Sequence, residues 1–313
     1  MIVDLPNTTT SQITKRIVKM REQGGVVALG RVLTLVVITK SGLEEEAIEA
    51  ANLASREHPC RIIVLAAGSP EAATCLNAEI RVGGDAGASE VIVLRGSGEL
   101  AAESESVVSA LLLPDAPIVA WWHSEAPESP IKSPVGRIAH RRITDSANAA
   151  DPRDALKHIA ATYADGDTDL AWTRLTSWRV QLAAALDQYD GSDPITGLQV
   201  EGASDSPSTL LLAAWLHRAL DVPVTVTEDP RGTGIRQVVI ERSKGNISLT
   251  RPGTLEASLT QPGQPEQKIS LPRRSLQDCL AEELRRLDPD LVFGEVITEG
   301  LIKLLAEEKV VKA

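Results

Sequence analysis

The residue types that most often carry catalysis or bind metals are scattered along this chain. Histidine is a common general base and metal ligand, and the five histidines show no metal-ligand spacing; they are His58, His123, His140, His158 and His217. His58 and Cys60 are close together, but no further ligand lies near them in the sequence, which argues against a zinc site.

Motifs that bind phosphates or activate a nucleophile are also missing from the sequence. We find no Walker loop, no G-x-G-x-x-G between a strand and a helix, and no G-x-S-x-G elbow. The run GGDAG at 83–87 lies between two predicted strands, so we interpret it as a turn rather than a phosphate loop. We therefore expect no catalytic residues, no metal and no cofactor.

The three cysteines, Cys60, Cys75 and Cys279, are odd in number and widely spaced, and no C-x-x-C motif is present. This usage fits a reducing cytoplasm, and it favours buried thiols. A disulfide between two of the three cysteines remains an alternative only if the fold brings them together.

One junction has a physical rationale for anion binding. A strand at Thr196–Glu201 is followed by a serine-containing loop and by Pro207, which occupies a typical first position of a helix. Free backbone N–H groups and the hydroxyls of Ser204, Ser206 and Ser208 could hold an anion such as a sugar phosphate. The favoured alternative is that Ser206 only caps its helix, because the loop contains no lysine or arginine.

Tryptophan and arginine, which are enriched in protein–protein hot spots, occur together in two places. In the first, Trp121 and Trp122 precede a basic segment that contains Arg141 and Arg142. One interpretation is a surface that pairs with an acidic patch on another protein. The alternative is a solvated loop.

The second place is the predicted helix from Asp169 to Tyr189, with Asp169 as its N-cap. Trp172 and Arg179 share an edge of its apolar stripe, and Arg174 lies on the opposite edge. The apolar stripe itself comprises Ala171, Leu175, Trp178, Leu182, Leu186 and Tyr189. The pattern fits either an interface anchor or core packing, and aromatic stripes usually belong to the core.

Composition and charge restrict the class of protein. A chain of 313 residues with 43% apolar and 24% charged residues is typical of a soluble globular protein with two domains. Its net charge of −11 argues against binding nucleic acid or an anionic membrane surface. No apolar run is long enough to span a bilayer, and the first residues do not resemble a secretory signal. We expect a cytoplasmic protein.

The predicted fold class is α/β, with two domains at 1–145 and 146–313. In the first, strands and helices alternate, which predicts a mainly parallel sheet with flanking helices. A proline at position 70 is expected to begin a helix, and a longer helix is expected at about 99–113. In the second, a strand–loop–helix is followed by an antiparallel meander that starts at Val222–Glu228 and by two terminal helices.

Several separate stretches resemble one known family. They are MIVDLPNTTTSQITK, GRVLTLVVIT, SREHPCRIIVLA, LLLPDAPIVAWWHSEAP, RRITDS and DLAWTRLTSWR. Together they are similar to the OpcA family of bacterial glucose-6-phosphate dehydrogenase assembly proteins, and none of them is a catalytic motif.

The resemblance implies a non-enzymatic protein whose partner is glucose-6-phosphate dehydrogenase. Such a protein favours the active oligomer of the enzyme and raises its activity, which supports the oxidative pentose phosphate pathway and the supply of NADPH. Photosynthetic members are associated with redox control through cysteines, so Cys60, Cys75 and Cys279 are redox candidates on this ground alone. The resemblance marks no contact residues. We therefore take as partner-binding candidates Trp121, Trp122, Arg141, Arg142, Trp172, Arg174 and Arg179.

A different class of function also stays open. The junction at Ser204–Ser208 could make the chain an enzyme of sugar-phosphate metabolism, or a partner protein that senses a metabolite there.

Overall fold

The computed structural model describes residues 1–24, 32–82, 90–188, 193–203, 205–229 and 232–311. The contacts divide the chain into two compact units. Unit 1 comprises 1–148, 166–168 and 275–289, and unit 2 comprises 149–165, 169–274 and 290–313. The sequence placed the boundary near residue 145; the chain first leaves unit 1 after residue 148, and two later segments return to it.

The strands are β1 (Ile2–Leu5), β2 (Leu33–Lys40), β3 (Cys60–Ala67), β4 (Cys75–Arg81), β5 (Glu90–Ser97), β6 (Ile118–Trp122), β7 (Arg141–Thr144), β8 (Asp167–Asp169), β9 (Ile195–Ala203), β10 (Val224–Asp229), β11 (Ile235–Arg242), β12 (Ile247–Thr250), β13 (Glu256–Thr260) and β14 (Gln267–Ser270). The α-helices are α1 (Thr10–Gly24), α2 (Glu44–Ala54), α3 (Glu105–Ser109), α4 (Pro152–Thr162), α5 (Leu170–Thr173), α6 (Thr176–Asp187), α7 (Pro207–Leu220), α8 (Leu276–Arg285), α9 (Leu291–Glu295) and α10 (Leu301–Val311).

Strands β1 to β8 form one sheet of unit 1, apart from the last residue of β8, in the order β1-β4-β5-β3-β2-β6-β7-β8. The pairs β5–β3, β3–β2, β2–β6 and β6–β7 are parallel, whereas β4 pairs antiparallel with β5 and β1. The mainly parallel sheet predicted from the sequence is therefore confirmed. Strands β2 and β3 are buried almost throughout, as expected where helices cover both faces of a sheet.

The helices of unit 1 pack as their sequence patterns predict. Ile13, Ile17 and Met20 on α1 join one core cluster with Val36 and Ile63 of the sheet. The alanines that form the inner face of α2 are all buried, and small side chains allow a helix to approach a sheet closely; they are Ala47, Ala50, Ala51 and Ala54.

Two local predictions in unit 1 are wrong. The helix expected at 99–113 is reduced to Glu105–Ser109, because the Glu103 carboxylate accepts hydrogen bonds from Trp122 Nε1 at 3.3 Å and Val135 N at 2.6 Å. These tertiary bonds fix the chain just before α3. Pro70 lies in a turn rather than at a helix start, since the Ser69 carbonyl accepts from Gly98 N at 3.0 Å and the chain continues directly into β4. Strand β1 was not anticipated.

Unit 2 contains a six-stranded sheet with the order β10-β9-β11-β12-β13-β14. Strands β11 to β14 form the predicted antiparallel meander. The segment predicted as the first strand of that meander is instead β10, which pairs parallel with β9. A parallel neighbour requires a crossover, and α7 supplies it between β9 and β10.

The long helix predicted from Asp169 is divided into α5 and α6. Asp169 is the N-cap as expected, with its carboxylate accepting from Ala171 N at 2.8 Å. The Thr173 carbonyl accepts from Arg274 Nη1 at 2.8 Å and from Thr176 Oγ1 at 3.0 Å, and these bonds interrupt the helix. Tyr189 and the glycine run at 83–87 lie outside the described residues.

The C-terminal helices begin where the sequence predicts. Ser275 and Asp278 form a complete capping box for α8, and Asp290 caps α9 through Phe293 N at 3.0 Å. A π-helical segment, Val296–Gly300, joins α9 to α10. In the described part of the chain, no helix has the length and apolar character needed to cross a membrane.

Candidate functional site

Both tryptophans of β6 lie in the interior. Trp121 is 0% exposed and Trp122 is 1% exposed. The Trp121 ring makes an edge-on contact with His123, with centroids 5.2 Å apart, and Trp122 Nε1 donates to Glu103. Neither ring offers a surface to a partner in the folded chain.

Arg141 and Arg142 are buried as well, so the predicted solvated loop is not observed for them. Arg141 Nη2 lies 2.6 Å from Glu283 Oε2, and its Nη1 donates to the Asp288 carbonyl at 3.0 Å. Arg142 pairs with Asp167 and donates from Nη1 to a neighbouring carbonyl. Both arginines therefore hold the segments at 166–168 and 275–289 within unit 1.

Trp172 and Arg179 meet at the edge of the buried face, as the helix pattern predicted. The Arg179 guanidinium carbon lies 3.7 Å from the centre of the Trp172 ring, which is a cation–π geometry. Trp172 is only 1% exposed; its Nε1 donates to Asp290 Oδ2 at 2.9 Å, and its ring lies 5.9 Å from that of Phe293. Trp172 therefore packs in the core of unit 2, whereas the side chains of Arg174 and Arg179 are half-buried.

The outward face of α6 is exposed and weakly charged. Val180 is 58% exposed, and Ala183 and Ala184 are also exposed. Their spacing of three and four residues places them side by side on the helix. Trp178 and Leu182 fill the opposite face and are buried. We call Val180, Ala183 and Ala184 the α6 face.

Ser206 and Ser208 of the serine junction lie in the described part of the chain and Ser204 lies outside it, so anion binding there stays a prediction. Ser206 occupies the N-cap position of α7, as the favoured alternative expected, but its side chain makes no capping hydrogen bond. Ser208 Oγ donates to the Ala171 carbonyl at 2.8 Å, and its hydroxyl proton is therefore committed to the backbone.

A position that sequence reasoning missed lies where the strand order of the parallel sheet reverses, between β2 and β6. In open α/β sheets, ligands bind beyond the carboxyl ends of the strands at this point, often with a phosphate on the first helix. Here the first turn of α2 carries Glu44, Glu45 and Glu46. The Glu44 carboxylate accepts from Gly42 N and from Arg95 Nε, the latter at 3.1 Å.

The negative charge of Glu44 at the start of α2 is stabilised by hydrogen bonds. Burial opposes the ionised form of Glu44, but hydrogen bonds from its own backbone N–H, from Arg95 and from Gly42 outweigh burial and hold its pKa below the usual value. A phosphate at the start of α2 would therefore meet a carboxylate that is ionised at neutral pH. The run Glu44-Glu45-Glu46, directly after a buried strand, is the sequence signal for this feature.

His123 follows β6 at the same edge of the sheet and is 4% exposed. Its Nδ1 lies 3.3 Å from the Thr39 hydroxyl. Burial lowers the pKa of His123, although the charges of Glu46 and Asp145 oppose the shift. The imidazole is therefore neutral at pH 7, and its burial keeps a substrate away from it.

All three cysteines belong to unit 1 and none forms a disulfide. Cys60 and Cys279 are buried, and Cys75 is partly exposed and donates to Asn77 Oδ1 at 3.6 Å. Within the residues described, no group of three or more histidine, cysteine, aspartate or glutamate side chains could hold a metal ion.

Comparison with family models gives two matches. Residues 51–161 match the N-terminal domain, and residues 165–297 the C-terminal domain, of a glucose-6-phosphate dehydrogenase subunit; both models carry the name OpcA. No curated protein sequence gives a significant match.

Solved structures with a similar fold include an oxidoreductase and a myo-inositol dehydrogenase. An oxidoreductase from Sinorhizobium meliloti is 10% identical, with 90% of this chain and 97% of that chain covered and a TM-score of 0.46. A myo-inositol dehydrogenase from Corynebacterium glutamicum ATCC 13032 is 13% identical, with 88% and 96% covered and a TM-score of 0.44. At these identities and TM-scores, no functional conclusion rests on either likeness.

Proposed function

The chain belongs to the OpcA family of glucose-6-phosphate dehydrogenase subunits, and from this premise we propose that it is a non-catalytic assembly factor. It binds glucose-6-phosphate dehydrogenase and favours the active oligomer of the enzyme. The observation that carries the proposal is the pair of family matches, which together extend over residues 51–161 and 165–297.

Two features of unit 1 support the non-catalytic part of the proposal. The helix start that holds a phosphate in many α/β enzymes is occupied by the ionised carboxylate of Glu44. The histidine at the same edge of the sheet, His123, is buried and packed against Trp121. Both features disfavour binding and turnover of a phosphorylated substrate at this edge.

Activation follows from differential binding. A protein that binds the active state of the dehydrogenase more tightly than the inactive state shifts the population by the ratio of the two affinities. A coupling free energy of about 1–3 kcal/mol corresponds to roughly a 5- to 150-fold shift. More active enzyme at a given substrate level supports the oxidative pentose phosphate pathway and the supply of NADPH. None of the three cysteines, all within the described residues, forms a disulfide, which fits a reducing compartment, and we place the protein in the cytoplasm.

We assign the contact surface to the α6 face and to the two arginines beside it. Hot spots pair an apolar centre with arginine. The half-buried Arg179 lies on α6 one residue before Val180 and four before Ala183, and the half-buried Arg174 lies just before the helix begins. Trp121, Trp122, Trp172, Arg141 and Arg142 have no part in this surface, because each is almost completely buried.

Val180→Glu is expected to weaken the complex by at least tenfold in Kd, about 1.4 kcal/mol, since it places a charge at the centre of the apolar contact. Val180 is 58% exposed, so the substitution leaves the chain folded. Titration calorimetry against the dehydrogenase from the same organism measures the effect.

Leu255→Glu is the matched control, because Leu255 is 66% exposed on the turn between β12 and β13 of the same unit. It adds the same charge and should leave Kd unchanged. If the two variants weaken binding equally, or neither does, the α6 face is not the contact surface.

Enzyme kinetics test the proposed function itself. Addition of this protein to its dehydrogenase should raise the rate of NADPH formation at low glucose 6-phosphate until the enzyme is saturated with the partner. The protein alone should produce no NADPH and consume no sugar phosphate. Turnover of a sugar phosphate by the protein alone would support the enzyme alternative instead.

A further inference from the structure

A cavity of about 370 Å³ lies in unit 2, beside the loop that joins β10 to β11. Its polar side chains are three arginines, Arg236, Arg251 and Arg273, together with Asp229 and Thr233. Three arginines around one cavity are unusual in a chain with a net charge of −11.

Arg251 forms the buried part of this cavity and is only 7% exposed. Its Nη1 donates to the Leu271 carbonyl at 3.2 Å, and its Nη2 donates to the Ile235 carbonyl at 3.3 Å. Its Nε is buried without a hydrogen-bond partner. A guanidinium has five N–H donors, and only two of those of Arg251 are used by the two backbone carbonyls. The side chain therefore keeps donors on its terminal nitrogens that no carbonyl occupies.

The side chain of Arg251 is held in position on two sides. Besides the two carbonyls, its guanidinium lies over the Trp178 ring, 5.1 Å from the ring centre. Trp178 is itself buried on α6. The arginine is therefore fixed before any ligand arrives, which lowers the entropic cost of binding.

The positive charge of the cavity is only partly balanced by carboxylates. Arg236 pairs with Asp229 at 3.4 Å and with Glu201 at 3.7 Å. Arg273 Nη2 donates to the Thr233 hydroxyl at 2.5 Å, and in the described part of the chain no ion pair joins Arg251 or Arg273 to an acidic side chain. Burial, and then the charge of Arg273, lowers the pKa of Arg251 to about 10, so Arg251 remains charged at neutral pH.

We propose that this cavity is a binding site for a small phosphorylated metabolite, with Arg251 and Arg273 holding the phosphate group. Two unbalanced guanidinium groups match the two negative charges of a phosphate ester, whereas one carboxylate would leave a positive charge unbalanced. A volume of about 370 Å³ also admits more than the phosphate alone. The glycine-rich and polar lining suits a polyhydroxylated ligand, whose hydroxyls Asp229 and Thr233 can bind.

This site is separate from the α6 face, and its occupation does not depend on the dehydrogenase. It also differs from the serine junction considered from the sequence, where the Ser208 hydroxyl donates to the Ala171 carbonyl. Phosphate binding at the cavity can therefore be measured whether or not the chain binds the dehydrogenase.

The test is titration calorimetry of the full chain at constant ionic strength, in a buffer without phosphate. The probes are inorganic phosphate, glycerol 3-phosphate, glucose 6-phosphate and succinate. Wild type should bind at least one phosphate compound saturably and more tightly than succinate. Tighter binding of the larger ester shows that the cavity also recognises the rest of the ligand, and equal binding restricts recognition to the phosphate group; both support the site.

Arg273→Gln should weaken phosphate binding by at least tenfold, and Arg273 is exposed, so its loss leaves the fold intact. Lys268→Gln removes the same charge from the exposed strand β14 of unit 2 and should change Kd by less than twofold. Arg251→Lys keeps the charge but removes the planar guanidinium with its paired N–H donors. In the folded variant it should also weaken phosphate binding. Equal effects of Arg273→Gln and Lys268→Gln, no binding by wild type, or tighter binding of succinate would overturn the proposal.

Discussion

Trp172→Ala should lower the free energy of unfolding of unit 2 by about 3–5 kcal/mol, the cost observed for removal of a large buried aromatic side chain. Three interactions are lost together with the packing. They are the hydrogen bond from Nε1 to Asp290, the ring contact with Phe293 and the stacking of Arg179 on the indole. Urea unfolding followed by circular dichroism measures the change.

Val180→Ala is the control for this prediction, because it truncates an exposed side chain on α6 of the same unit. It should change stability by less than about 0.5 kcal/mol. If Trp172→Ala costs no more than this control while it abolishes binding of the dehydrogenase, then Trp172 is an interface anchor, contrary to its burial.

Glu283→Ala should destabilise unit 1 by about 3–5 kcal/mol, because it leaves the Arg141 guanidinium buried without its charge partner. Arg141 is 1% exposed, and its Nη2 lies 2.6 Å from Glu283 Oε2. The hydrogen bond from Arg141 Nη1 to the Asp288 carbonyl cannot neutralise the charge. Chemical unfolding of the full chain measures the loss.

The matched control uses the same helix. Arg285, two residues from Glu283 on α8, pairs with Glu57, and both side chains of that pair are more than half exposed. Glu57→Ala removes this exposed pair and should have little effect, because exposed ion pairs contribute little and are screened by salt. Similar losses from Glu283→Ala and Glu57→Ala would contradict the structural role assigned to Arg141.

Features that depend on local sequence were predictable. The apolar spacing of α1, the alanines of α2, the caps of α5, α8 and α9 and the buried parallel strands all follow from short-range patterns. Features decided by distant residues were not. Strand β1 needs β4, the break between α5 and α6 depends on Arg274, and the shortening of α3 depends on bonds from Trp122 and Val135 to Glu103.

The same limit explains the site residues. The helix pattern correctly placed Arg179 beside Trp172. Tryptophan and arginine at a helix edge fit both a core and an interface, and the pattern favoured the core without excluding the interface. Arg141 and Arg142 read as a surface cluster because Glu283 and Asp167, which neutralise them, are distant in sequence. The arginine cavity could not be predicted either, because its three arginines are separated in the sequence and come together only in the fold of unit 2. They are Arg236, Arg251 and Arg273.

Phosphate binding and complex formation with the dehydrogenase are proposed on separate observations. Measuring each affinity in the presence of the other ligand tests whether the two are coupled. If the metabolite site regulates the complex, saturating ligand changes the affinity for the dehydrogenase, and the dehydrogenase changes the affinity for the ligand by the same factor. Helix α6 carries Val180 on its exposed side and Trp178 on its buried side, where the Arg251 guanidinium lies over the Trp178 ring, so one helix connects the two surfaces within unit 2.

The central claim, that this protein is an assembly partner of glucose-6-phosphate dehydrogenase, is tested most directly by the mass of a mixture. Size-exclusion chromatography with multi-angle light scattering should resolve a species that contains both proteins and is heavier than either alone. That species should contain the dehydrogenase in its oligomeric, more active form. Two separate peaks with the masses of the individual proteins, at concentrations well above those used for the kinetics, would contradict the claim.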